Sequence, residues 1–146
     1  MAKAILNYTT SIEVWKTISE IQQILVAHKV TNINIQTKDS QPTALIFVIE
    51  YRGVPLNYSL PCNYQGVLAR LQRGKNIASK YKTEEQALRV GWRIVKDWVE
   101  AQLAMVEAEV VQMHEVFMPY LLIPKTGKTL FETFETGGFS ALEAGK

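Results

Sequence analysis

Apolar residues recur along this chain with two periods, and the alternation between them predicts the order of elements. Val14, Ile18, Ile21 and Leu25 return every three or four residues, the spacing of one face of a helix. Thr10 with Glu13 and Thr17 with Glu20 have capping-box spacing, so this helix starts near one of them. His28 falls in its last turn, where positive charge suits the helix dipole. Ile5 to Tyr8 reads as a short strand ahead of it.

The period then drops to two. Ile33 and Ile35 alternate with Asn32, Asn34 and Gln36, predicting a half-buried strand. Asp39-Ser40-Gln41-Pro42 is a turn. Thr43 to Tyr51 is apolar on both faces and β-rich, which predicts a central strand. Arg52-Gly53 is a tight turn. Val54, Leu56, Tyr58 and Leu60 alternate with polar or proline positions, and Pro61 stops the ladder. The sum is an antiparallel sheet of three or four strands.

Helical spacing returns after Asn63, with Tyr64, Val67, Leu68 and Leu71. Residues 73–82 form a basic loop. Thr83 and Gln86 have capping-box spacing and open a long helix running to about Ala108. On it Leu88, Trp92, Val95, Val99, Leu103 and Val106 make one apolar stripe. Gly91, Ile94, Trp98, Ala101 and Met105 widen it past half the circumference, so the helix is mostly buried. A fourth helix covers about Met113 to Leu122, bent or ended by Pro119. Pro124 to Gly127 is a turn, and Thr129 with Glu132 caps a last short helix that Gly137-Gly138 ends. The expected fold is α+β: a small antiparallel sheet of three to four strands packed against one long helix, with several shorter helices. Residues 1–136 form a single domain and 137–146 a flexible C-terminal tail.

Composition supports a globular chain without adding a function. Apolar residues make up 47% and charged residues 21% of 146, enough to close one core. No run approaches the roughly 18 apolar residues of a membrane span, and the N-terminus has no signal-peptide pattern. The single cysteine, Cys62, has no partner in the chain, which fits an intracellular protein.

Charge changes the picture. The net charge is +2, but residues 1–65 carry five bases and four acids. Residues 66–96 carry eight bases and two acids, and residues 97–146 three bases and eight acids. Such a split fits an anionic ligand at the basic segment, or complementary halves that pair within the fold or between subunits. Arg89 and Arg93, one turn apart, are candidates to hold an anion with the loop bases Arg73, Lys80 and Lys82. Tyr81 and Trp92 supply aromatic surface beside them. Arginine suits phosphate because its planar fork donates two parallel bonds. The competing reading makes Trp92 and Trp98 core or interface anchors and the charges a solvated edge, with Arg93–Asp97 and Lys96–Glu100 as i, i+4 pairs.

Other motifs fail on inspection. HEVFM (residues 114–118) lacks the second histidine of a zinc-protease helix. GKT (residues 127–129) lacks the glycine a phosphate loop needs five positions earlier. Two histidines and one cysteine are too few for a zinc site, and no cofactor is implied. Cys62, at a strand-to-helix junction, reads as a small buried residue rather than a nucleophile. No constellation calls for an enzyme.

Four blocks, KTISEIQQIL, LNYSLPCN, RVGWRIVKDWVEAQLAMVEAE and EVFMPYLL, together resemble a family of small proteins common in phages and prophages. The resemblance covers most of the chain and names no activity. It implies that Trp92-Arg93 and the segment Asp97 to Gln102 recur. Where the family pattern has a glycine near the end of the long helix, this chain has Glu109 or its neighbour. A phage setting implies the host cytoplasm and functions in DNA metabolism or evasion of host defence. The leading expectation is a non-enzymatic binding protein holding an anionic nucleotide, such as a sponge for a host immune signal. The alternatives are a nucleic-acid-binding accessory factor and an anti-CRISPR-type inhibitor of a host defence protein. The two-faced strand 43–51 adds the expectation of a homo-oligomer.

Overall fold

The computed structural model describes residues 4–137. The fold is α+β. Helix α1 (Val14–Ala27) leads into strands β1 (Thr31–Lys38), β2 (Gln41–Tyr51) and β3 (Val54–Pro61). Helices α2 (Tyr64–Arg73), α3 (Glu84–Glu107), α4 (Met113–Phe117) and α5 (Leu130–Glu135) follow. The sheet has three strands among the described residues, in the order β1-β2-β3 and antiparallel throughout. The segment expected as a first strand, Ile5 to Tyr8, is a turn instead: Tyr8 N–H donates to Ile5 O at 3.2 Å and Asn7 has φ +65°. Of the expected tail, only Gly137 lies within the described residues.

Both hairpins close with two-residue loops in which the central residues have positive φ, at Asp39-Ser40 and at Arg52-Gly53. That backbone matches the twist of the strands it joins. The register it sets puts Ile35, Leu45 and Leu60 in one row, with Phe47 opposite Tyr58 and Ile49 opposite Leu56. These side chains form the inner face. They share one buried cluster with Val14, Ile18, Ile21 and Leu25 of α1 and with Leu88, Trp92, Val99 and Leu103 of α3. Phe117 of α4 closes the cluster, edge-on to Phe47 at 5.2 Å and to Trp98 at 5.7 Å.

Helix α3 is about 36 Å long at 1.5 Å per residue. Its N-terminal half is buried; its C-terminal half emerges, and Met105 is 38% exposed. Gly91 allows α3 to approach the β3–α2 junction, since a Cβ there would lie 2.8 Å from Cys62 Sγ. The expected fourth helix is shorter than its pattern. It becomes a 3-10 turn at Met118–Tyr120, because Pro119 has no N–H to continue the α-helical ladder. Residues 121–130 then form a small hairpin on the outer edge of β3. Leu122 N–H donates to Asn57 O (2.8 Å) and Leu130 N–H to Leu121 O (2.7 Å).

The capping pattern divides. Thr129 and Glu132 form the expected box on α5, and Thr83 Oγ1 accepts from Gln86 N–H on α3. Neither box expected for α1 forms: its first residue is Val14, its cap Glu13 makes no side-chain bond, and Thr17 is buried inside the helix. Among the described residues no helix is long and apolar enough to cross a membrane.

Candidate anion-binding site

The candidate bases lie in two places. Those on α3 are committed to the fold. Arg93 pairs with Glu20 of α1 and donates to Thr17 Oγ1 at 3.3 Å. The expected Arg93–Asp97 pair does not form; Asp97 accepts from Asn7 Nδ2 at 2.8 Å instead. Arg89 donates to Gln86 Oε1 at 3.0 Å. Trp92 is fully buried, and its indole N–H donates to Pro42 O at 3.1 Å. Lys96 takes up the expected pairing with Glu100 at 3.0 Å.

Gln86 explains what Arg89 does. Its side chain does not turn back to complete the cap. It is buried and donates to the carbonyls of Tyr8 and Thr10, both at 2.9 Å. The N-terminal strap is thus tied across the start of α3, and Arg89 holds the amide that ties it.

The strap carries Tyr8, and Tyr8 walls the second group of bases. Arg70 and Arg73 stand on the last turn of α2, three residues apart, and Lys75 follows just beyond the helix end. With Tyr8, Asn76 and Ile77 they line a depression of about 390 Å³. No acid lies in this lining among the described residues. Tyr81 meets Tyr8 edge-on with ring centroids 5.7 Å apart, and Lys80 Nζ sits 5.0 Å from the Tyr81 centroid. That is cation–π range, so Lys80 is held on the same aromatic pair. Lys82 closes the 3-10 turn Ser79–Tyr81 through its backbone N–H to Ser79 O, and it is absent from the lining of the depression. Glu84, the nearest acid in sequence, accepts from the Tyr64 hydroxyl at 3.0 Å, a bond that pushes the phenol upward.

Of the expected residues the structure therefore places Arg73 in the lining of the depression; Tyr81, with Lys80 beside it, stands behind Tyr8 and outside that lining, and Arg89, Arg93 and Trp92 lie elsewhere on α3. It adds Arg70, Lys75 and Tyr8, which the motif reading left out. A signal for Arg70 existed: with Arg73 it falls at i, i+3 on one helix face. Tyr8 had none, because only the long-range bond from Gln86 puts it there.

The other reactive groups are quiet. Burial pushes the Cys62 thiol up to about 12, so it carries no thiolate at neutral pH. The described residues contain no group of three or more His, Cys, Asp or Glu side chains placed to hold a metal ion. Comparison of the chain with protein-family models, with curated proteins and with solved structures yields no match. What fold and site define is an α+β domain with a basic, tyrosine-walled depression beside its longest helix.

Proposed function

We propose that this protein is a non-catalytic binder of a phosphate-bearing anion, in the first instance a nucleotide. The observation that carries this reading is the convergence of Arg70, Arg73 and Lys75 on one depression whose lining holds no acid among the described residues. Guanidinium groups match phosphate oxygens in pairs, and a lysine beside them adds a point charge. Tyr8, backed edge-on by Tyr81, offers one aromatic ring in the lining next to those charges. A nucleotide has both features, a charged phosphate and a flat base.

The resemblance to small phage proteins adds the setting: sequestration of a host nucleotide signal in the host cytoplasm, without turnover. A homo-oligomer belongs to the same reading. No strand lies beyond β1 among the described residues, and a second copy has room to add there.

Native mass spectrometry and calorimetry with ATP test the reading. The expected result is a discrete ATP-sized increment per chain, with Arg73→Glu/Lys75→Glu weakening affinity about tenfold or more. Arg93→Glu serves as the structural control: it costs stability through Glu20 and leaves affinity per folded molecule unchanged. Single-stranded oligonucleotide is titrated in parallel. A site spanning several phosphates gives a steep salt slope and moves the assignment to nucleic acid. Retention of neither ATP nor oligonucleotide overturns the proposal.

A further inference from the structure

The sheet has a second face, and it is not simply solvated. Register places Gln36, Ala44 and Pro61 in one row across it and Asn34, Ile46 and Ser59 in the next. Ala44 and Ser59 are small, so the floor is dished around Ile46. The 3-10 turn at Pro119 and Tyr120, the edge hairpin and α5 rise beside it. Together they enclose a cleft of about 770 Å³, within the range of small-ligand sites.

The lining of this cleft has a definite chemistry. Its charged side chains are Glu132 and Glu135, three residues apart on α5, and no base lines it among the described residues. Glu132 is held in its ionised form by Thr129, whose backbone N–H donates to it at 2.9 Å and pulls its carboxyl below the usual value. One such bond leaves acceptor capacity on a carboxylate that has about four acceptor sites. Phe131 is 49% exposed, and Tyr120 lines the same wall. Aromatic faces beside carboxylates suit a cation with a flat apolar body. The amides of Gln36 and Asn63 offer hydrogen bonds at the rim.

We propose that the cleft between the outer sheet face and α5 is a second binding site, for a small organic cation: an ammonium or guanidinium group on an aromatic or apolar body. It is separate from the basic depression, shares no lining residue with it, and takes ligands of opposite charge.

The test uses phenethylammonium as probe and phenylpropionate as its charge-reversed counterpart, titrated into the full chain and followed by amide NMR shifts. Expected are saturable shifts at Ile46, Ser59 and Phe131, with the ammonium bound about tenfold tighter than the carboxylate. Inorganic phosphate should not compete, which keeps the outcome independent of the anion site. Glu132→Gln/Glu135→Gln keeps the α5 cap and should lose that preference. Ser59→Phe fills the floor from the outer face and should abolish binding in a protein whose spectrum stays dispersed. No saturation by about 10 mM, equal binding of the two probes, or binding that survives Ser59→Phe each overturns the proposal.

Discussion

Gly91 shows how a single missing side chain sets the distance between two elements. A Cβ there would meet Cys62 Sγ at 2.8 Å, with Val67 Cγ2 at 3.7 Å behind it. Cys62 is buried and has little room to yield. Gly91→Ala gains about 1 kcal/mol of helix propensity and meets an overpacking cost of about 1–3 kcal/mol. A net destabilisation of about 1 kcal/mol is expected in urea unfolding. The same change in a Cys62→Ala background should cost clearly less, because the atom it strikes is gone. Equal costs in both backgrounds would show that the close approach is not what requires glycine. At this scale too the two arginines of α3 find their roles. Arg93 satisfies Glu20 and Thr17, far away in sequence, and Arg89 orients Gln86 one turn back on the same helix.

Helices α1 and α3 end in the same way, and neither uses the residue best suited to it. After α3, Val110 N–H donates to Met105 O and Glu109 N–H to Val106 O, both at 3.0 Å. After α1, Val30 N–H reaches Leu25 O at 3.2 Å and Lys29 N–H reaches Val26 O at 3.1 Å. This is the Schellman arrangement, in which the residue just past the cap is left-handed and usually glycine. Here those residues are Glu109 (φ +60°) and Lys29 (φ +67°). A glycine at the end of the long helix is what this backbone favours. Glu109→Gly should therefore stabilise the protein by about 0.5–1 kcal/mol. Lys29→Gly should gain less, because a lysine at a helix C-terminus is favourable to the dipole and a glutamate is not. Thermal and urea unfolding rank the two; a Lys29 gain equal to or above that of Glu109 would refute the electrostatic part of the argument.

At the scale of the whole molecule, one acid-sensitive contact joins α4 to the sheet. Tyr58, almost fully buried in β3, has its hydroxyl 3.0 Å from His114 Nδ1, and the Tyr51 ring meets the imidazole edge-on at 4.5 Å. With Nδ1 unprotonated, the hydroxyl donates to it. Burial pulls His114 below its ordinary 6.5, so the fold favours the neutral ring. The unfolded chain then takes up the proton first as pH falls. Stability is fully present above about 6.5 and declines from there toward the lower value of the folded state. Denaturation midpoints measured from pH 7 to about pH 5 should fall in the wild type and stay level in His114→Asn over that window. A parallel decline in both would remove His114 as the cause. The imbalance of charge along the chain has a related resolution. Of the ion pairs within the described residues, Lys96–Glu100 alone joins the basic segment to the acidic one. The two segments also stand at separate places, Arg73 at the basic depression and Glu132 at the outer-face cleft.

The order of elements from α1 onward, the antiparallel sheet and the long helix were legible in the sequence, because each depends on contacts within a few residues; the strand expected at Ile5 to Tyr8 and the apolar face extended to Ala101 and Met105 were not found. Periodicity follows from the pitch of one helix or strand, and a two-residue loop sets its own hairpin register. Where local pattern misled, a long-range partner had taken the group: Gln86 left its cap for the Tyr8 and Thr10 carbonyls, and Arg93 left Asp97 for Glu20. The candidate site was legible only as a basic segment with an aromatic residue in it. Which bases share a surface was decided by the tertiary structure. The crossing of α2 over α3 carries Arg70 to the depression, and the strap tied by Gln86 brings Tyr8 there, while packing sends Trp92 inward. The outer-face cleft was invisible for the same reason, since its floor and its carboxylates lie about 70 or more residues apart and meet only once the edge hairpin folds onto β3.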